Sequence, residues 1–253
     1  MTRLLILGGT GDAANLATEA TKLSDLEIIY SLAGRTRQPK VPGCTIRIGG
    51  FGGTAGLISY LKEAKIDFVV DATHPFADVM ATHAAKACRK VGIPRIKFCR
   101  MAWSPDAITW KSVQTYEEAA QQLCSLGKRV FLSIGTKKLI SFARLADKWF
   151  LIRAIEDPAL PVPLVNYDVL LQRGPFDLAH ERTLLVSYQI DVLVSKNSGG
   201  TQAAKLQAAH DLNIPILIIE QPTPPTGELV YSTAEATDRL KLYMQSKLNI
   251  PTT

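Results

Sequence analysis

The chain has 253 residues, enough for one large α/β domain or two small ones, each with a real core. Hydrophobic residues make up 47% and charged residues 21%, which excludes a disordered or low-complexity chain. A formal charge of +6 favours an anionic partner, yet Lys and Arg are scattered without basic runs or aromatic interleaving, so a nucleic-acid surface is not expected.

In chain order, short β-branched runs predict strands at Leu4–Leu7, Glu27–Ser31, Thr45–Ile48, Phe68–Val70 and Arg95–Phe98, with helices in the gaps. The segment Arg100–Lys111, with Trp103, Pro105 and Trp110, breaks that alternation and predicts a domain crossover near residue 100. A helix follows at Tyr116–Ser125, then strands at Arg129–Ser133, Trp149–Arg153, Val192–Ser195 and Ile216–Ile219, and a terminal helix at Thr233–Leu248. Asp157–Pro163 and Gln221–Gly227 are proline-rich and read as loops. The pattern predicts an α/β protein of two Rossmann-like parallel-sheet domains with a cleft between them, residues 1–100 forming the first and 101–253 the second.

No apolar run approaches the ~18 residues that span a bilayer, and the N-terminus enters a strand without a leader-like pattern. Cys44, Cys88, Cys99 and Cys124 show neither CxxC spacing nor a clustered His, so no metal site is expected, and free thiols point to a reducing cytoplasm.

The first strand runs into Gly8-Gly9-Thr10-Gly11-Asp12-Ala13-Ala14, in which Gly9, Gly11 and Ala14 satisfy the dinucleotide fingerprint at a strand-to-helix junction. Glycines let the backbone approach a pyrophosphate, and the following helix offers unpaired N–H groups. The same residues also serve as a plain connecting turn, with Asp12 complementing the helix dipole. NAD-binding units carry an acid at the end of the second strand. Here that end reads Ser31-Leu32-Ala33-Gly34-Arg35-Thr36-Arg37, without a carboxylate. Arg35 or Arg37, with hydroxyls from Ser31 and Thr36, suits a 2′-phosphate, so NADPH is favoured over NADH, although such arginines also occur on solvated loops.

Gly49-Gly50-Phe51-Gly52-Gly53 follows the third strand, with Gly50 and Gly52 placed for backbone contact to a ligand. Asp71-Ala72-Thr73-His74-Pro75-Phe76-Ala77 ends the fourth strand at the same carboxyl edge, where open α/β sheets bind ligands. His74 reads either as a donor to a carboxylate or as a local cap. In the second half, Ser133-Ile134-Gly135-Thr136-Lys137-Lys138 and Ser195-Lys196-Asn197-Ser198-Gly199-Gly200-Thr201 each follow a strand. Both combine glycine, hydroxyl and lysine, the chemistry that holds carboxylates or phosphates, with helix capping by Thr136 and Ser198 as the bland alternative.

Gly8-Gly9-Thr10, the Asp71–Ala77 segment, Ile134-Gly135-Thr136-Lys137 and Ser195-Lys196-Asn197-Ser198-Gly199-Gly200 occur in an order and at a length that resemble the precorrin-6A reductases of cobalamin biosynthesis, over nearly the whole chain. The resemblance implies reduction of one macrocycle double bond by hydride transfer from NADPH to C19, with protonation at C18, giving precorrin-6B. It implies a small-molecule polycarboxylate substrate held by a monomer, with Phe76 and the two lysine-bearing loops on the substrate side. His74, Lys137 and Lys196 are then the candidate proton donors, with solvent as the alternative. The family also includes a branch acting on cobalt-precorrin-6A, and many of its members carry Glu where this chain has Asp12.

Two rivals remain at this point. A short-chain dehydrogenase needs Tyr-x-x-x-Lys, which occurs here only as Tyr243 to Lys247 in the terminal helix. An NADP-sensing regulator would keep the glycine loop without needing two lysine-bearing loops.

Overall fold

The computed structural model describes residues 1–34, 41–105, 108–158, 161–201 and 203–248. The chain divides into two compact units, Met1–Met101 with Pro222–Thr253, and Ala102–Gln221.

The first unit is built on β1 (Thr2–Leu7), β2 (Leu26–Leu32), β3 (Thr45–Ile48), β4 (Phe68–Asp71) and β5 (Arg95–Phe98). All strands are parallel and ordered 3-2-1-4-5, so the chain turns back between β1 and β4. β1 is buried on both faces, as a central parallel strand must be. Leu4 and Ile6 enter one core, and Leu5 and Leu7 enter the other. Helix α1 (Gly11–Ala20) closes the first face with a stripe of Ala13, Leu16, Ala17 and Ala20. Helices α2 (Gly53–Glu63) and α3 (Asp78–Val91) close the opposite face through Leu57, Leu61, Ala84, Ala87 and Cys88. Helix α3 has Asp78 in its first turn, Arg89 and Lys90 in its last and a left-handed Gly92 after it, which matches the helix dipole and the preferred end signal.

The second unit places β6 (Lys111–Val113), α4 (Tyr116–Leu123), β7 (Arg129–Ser133), β8 (Trp149–Ala154), β9 (Asn166–Leu171), α5 (Leu178–Ser187), β10 (Val192–Lys196), α6 (Ala204–Asp211) and β11 (Ile216–Ile219) around a parallel sheet ordered 6-11-10-7-8-9. Its reversal lies between β7 and β10. Helices α5 and α6 bury Leu184, Leu185, Leu206, Ala208 and Ala209 against Phe131, Leu151, Leu193 and Ile218.

The expected extent of the second domain, 101–253, requires correction at its far end. After the proline-rich loop, β12 (Glu228–Val230) pairs in parallel with Ile96–Phe98 as the sixth strand of the first sheet. Helix α7 (Thr233–Leu248) then lays Ala236 and Leu240 into the core beside α1. The strands β6, β9 and β12 were not anticipated. Each is a sheet edge, and none is buried along its length, because one side of an edge strand faces solvent.

Candidate active site

The carboxyl edge of the first sheet is organised around the turn after β1. Gly8 is required by packing: a Cβ there would come within 2.4–2.6 Å of the buried Tyr30 ring. Gly9 has φ +109°, a conformation that disfavours side chains, and its N–H donates to the Tyr30 hydroxyl at 3.3 Å. Thr10 caps α1, its hydroxyl accepting from Ala13 N at 3.1 Å and donating to Ala72 O at 3.2 Å. That leaves Gly11 N and Asp12 N at the helix start without a hydrogen-bond partner among the described residues. Positions Gly9, Gly11, Gly50 and Gly52 face open space where a Cβ would stand. Unpaired helix N–H groups beneath an uncovered glycine cradle fit a dinucleotide pyrophosphate. Asp12 forms an ion pair with Arg100 at 2.5 Å, a partner that lies in the irregular crossover and gave no signal in sequence.

Ser31, next to last in β2, is buried, its carbonyl accepting from Gly8 N. Ala33 and Gly34 are exposed beyond it. Arg35, Thr36 and Arg37 lie outside the described residues. Arg47 on β3 was not anticipated. Its guanidinium donates to Gly49 O at 2.6 Å and Gly50 O at 2.9 Å and stacks over Phe51 at 3.7 Å, so it holds the glycine loop in shape.

At the end of β4 the structure redistributes the expected roles. Asp71, fully buried, accepts from Thr73 Oγ1 at 2.7 Å, from Thr73 N at 3.2 Å and from Lys97 Nζ at 3.1 Å, with Arg95 3.7 Å from its other oxygen. Lys97 also donates to Thr73 O at 3.0 Å. Thr73 is therefore part of this buried array and supports the loop. Ala72 is likewise buried and acts as the acceptor that braces Thr10. His74 Nδ1 accepts from Phe76 N at 3.2 Å, which closes the turn and, in the neutral ring, places the proton on Nε2. The local-cap reading is thus realised. Lys97 and Arg95 were legible only as charges in an otherwise apolar strand.

In the second unit, the carboxyl ends of β7 and β10 stand side by side, with Ser133 and Ser195 in register. Gly135 takes φ +76° with open space beside it, and Lys137 is exposed. Gly199 and Gly200 also have positive φ. Asn197 has a structural role. It is fully buried, its oxygen accepting from Trp103 N at 2.8 Å and its amide donating to Trp103 O at 3.0 Å and Glu220 at 2.9 Å. Both ends of the side chain are used to tie the crossover to the sheet. Capping by Ser198 or Thr136 is not observed: the N-cap of α6 is Ala203 and that of the 3-10 turn Leu139–Phe142 is Lys138, neither with a side-chain cap bond.

A cationic group surrounds this edge. Lys196 is half-buried, and burial, with Lys137 nearby, brings its pKa down to about 8. Lys205, in the first turn of α6, donates to Ser133 Oγ at 2.8 Å. Burial brings it down to about 8 as well, with Glu181 opposing and Arg153 and Lys196 adding to the fall. Beneath it, Arg153 of β8 holds Glu181 of α5 through two bonds of 2.6 and 3.0 Å. Lys205, Arg153 and Glu181 carried no sequence signal, since an isolated charge on a helix or strand reads as solvated.

The dehydrogenase-like pair Tyr243 and Lys247 lies at the opposite edge. Lys247 pairs with Asp67 and Tyr243 stacks on Phe68 at the start of β4, beside a depression of about 350 Å³ lined by Met1, Arg3, Lys65, Asp67 and Lys247. No described helix is long and apolar enough to cross a membrane, and among the described residues no His, Cys, Asp or Glu cluster suits a metal.

Two parallel doubly wound sheets, with a glycine cradle at the reversal of the first, define a two-domain α/β oxidoreductase that draws on a reduced nicotinamide cofactor. The chain belongs to the precorrin-6x reductase family: the family model described as "Precorrin-6x reductase CbiJ/CobK" matches residues 3–241. It is 46% identical over 239 residues to a protein of Rhodococcus erythropolis named precorrin-6A reductase, covering 93% of this chain and 96% of that one. It is 28% identical to a cobalt-precorrin-6A reductase of Priestia megaterium, covering 92% of this chain and 95% of the relative. A solved structure described as CobK precorrin-6A reductase superposes with a TM-score of 0.86 at 37% identity, covering 96% and 97% of the two chains.

Proposed function

We propose that this chain reduces precorrin-6A to precorrin-6B with NADPH, as a monomer acting in the cytoplasm, where its four unpaired cysteines would persist. The observation that carries the reading is the open glycine cradle over two unpaired helix N–H groups, in a chain that matches precorrin-6A reductases over nine-tenths of its length. The higher identity to relatives named for precorrin-6A, 46% against 28% for the cobalt-precorrin-6A relative, favours the metal-free macrocycle.

In this reading Gly9, Thr10 and Gly11 shape the pyrophosphate seat, and Gly50 and Gly52, held by Arg47, border the adenosine end. Arg35, with Thr36 and Ser31, receives the 2′-phosphate. Bound nicotinamide supplies the hydride. His74 presents its Nε2 proton, and Phe76 covers the ring plane. Ser133, Gly135, Thr136, Lys137, Lys196, Ser198, Gly199 and Gly200 hold the acidic side chains of the macrocycle. Lys196 and Lys137 are the other candidate proton donors, and a lysine titrating at about 8 gives up a proton at neutral pH more readily than an ordinary one.

The test is an anaerobic absorbance assay with precorrin-6A and either NADPH or NADH. Coupled loss of NADPH and macrocycle bands, faster than with NADH, is expected. Tight NADPH binding without turnover of any tetrapyrrole would instead identify a dinucleotide sensor.

A further inference from the structure

Lys205 lies outside every loop that the sequence singles out, yet its environment is short of one negative charge. It enters from the first turn of α6 and reaches the end of β7, where the neutral Ser133 hydroxyl is its acceptor. Lys196 on β10 and Arg153 on β8 act on it as like charges. The carboxylate acting on this group is Glu181 on α5, and both of its oxygens are engaged by Arg153. Lys205 and Arg153 thus share one anion. Arg153 Nε is itself buried without an acceptor. Helix α6 adds to the deficit: Ala203 supplies no side-chain cap, and a lysine stands at the positive end of the helix dipole, where an anion is favoured.

We propose that Ser133, Lys196 and Lys205 form a carboxylate subsite at the carboxyl end of the second sheet, which seats one acidic side chain of the tetrapyrrole with Lys205 as its principal donor. The proposal rests on the substrate reading given above and names the group that recognises it. A seated carboxylate also favours the charged form of both lysines, each of which titrates at about 8 without it, so binding near pH 8 takes up protons. The groups that set this balance are Ser133 and Lys137 after β7, Lys196 on β10, Arg153 on β8 and Glu181 on α5.

The experiment compares the full-length protein with Lys205→Met and Lys205→Arg, measuring turnover of precorrin-6A at saturating NADPH. Calorimetric binding of precorrin-6A without cofactor at pH 8, in two buffers of different ionisation heat, reports proton uptake. Loss of a charge-assisted bond predicts a KM for precorrin-6A raised about tenfold to a hundredfold in Lys205→Met. In that variant kcat and the KM for NADPH hold within about twofold, as expected for an interaction made equally in ground and transition states. Lys205→Arg recovers much of the loss, and proton uptake falls in Lys205→Met. Lys205→Gln, which keeps a donor toward Ser133 without the charge, replaces Lys205→Met if that variant does not fold. An active wild type whose neutral variant keeps its KM and its proton uptake, or loses only kcat, overturns the subsite while leaving the reductase reading intact. A wild type that neither binds nor reduces precorrin-6A overturns the reductase reading itself, and the subsite with it.

Discussion

Gly8 and Gly11 stand three residues apart in one motif and answer to different constraints. Gly8→Ala forces a Cβ into the Tyr30 ring, so overpacking is expected to cost about 1–3 kcal/mol in urea unfolding. Gly11→Ala meets no protein atom within 4 Å at an ordinary helical φ. It should leave stability unchanged or raise it by up to about 1 kcal/mol, as alanine does in a helix, while weakening NADPH binding at least about tenfold by crowding the cradle. Equal NADPH affinity in Gly11→Ala and wild type would remove the pyrophosphate from that position. Arg35→Glu should reduce affinity for NADPH far more than for NADH, because only the former carries the 2′-phosphate; equal losses in a paired titration would reject Arg35 as its partner. The fingerprint glycines were legible because their spacing encodes a turn. Tyr30, the residue that makes Gly8 obligatory, was not, since an aromatic residue in a strand reads as ordinary core.

At the scale of elements, β4 and β5 are joined by more than backbone pairing. Asp71 serves Lys97, Thr73 and the nearby Arg95 inside a buried sheet edge. Asp71→Asn keeps the shape but leaves two buried cations without their anion, and a loss of about 3–5 kcal/mol is expected. Denaturation midpoints within a few tenths of wild type would mean that the array is solvated. The same substitution should loosen the 72–76 turn and raise the KM for NADPH. Sequence reading placed the Asp71–Ala77 segment at the carboxyl edge of the sheet, but did not reveal which of its polar side chains turn inward. Which way a polar side chain turns at a strand end depends on Lys97, a residue on the neighbouring strand that spacing along the chain cannot locate. The edge strands β6, β9 and β12 escaped for a related reason: their pairing partners, rather than their own composition, make them strands.

For the whole molecule, two observations lead to measurements. The first unit is discontinuous, with β12 and α7 completing its sheet and one of its cores. Residues 1–101 expressed alone should therefore fail to fold cooperatively and regain structure when residues 222–253 are supplied as a second fragment. Residues 102–221, a continuous unit, should fold unaided; a cooperative transition for 1–101 alone would show that the returning segment is dispensable. Stability should also depend on alkaline pH with a definite sign. Lys196 and Lys205 titrate at about 8 when folded and at about 10.4 when unfolded. Above pH 8 the unfolded chain binds more protons, and stability rises with pH. Cys88, pushed up to about 12 by burial, acts oppositely once unfolded thiols ionise near pH 9, and Cys44 and Cys99, also raised by burial, act with it, so three thiols oppose two lysines and the rise should level off above about pH 9. A stability that falls steadily from pH 7 to 9 would contradict the burial of the two lysines. The sequence by itself determined the α/β class, the repeated strand-helix order and the glycine turn, because each is written in local periodicity and backbone requirement. Only the tertiary structure decided that the last strand returns to the first sheet, that the side chains of Asn197 and Thr73 are hydrogen-bonded within their own units, and that Lys205 joins Lys196 at one end of the second sheet. These outcomes depend on residues far apart in the chain meeting under desolvation, where the neighbour supplied by the fold sets the value of each charge and hydrogen bond.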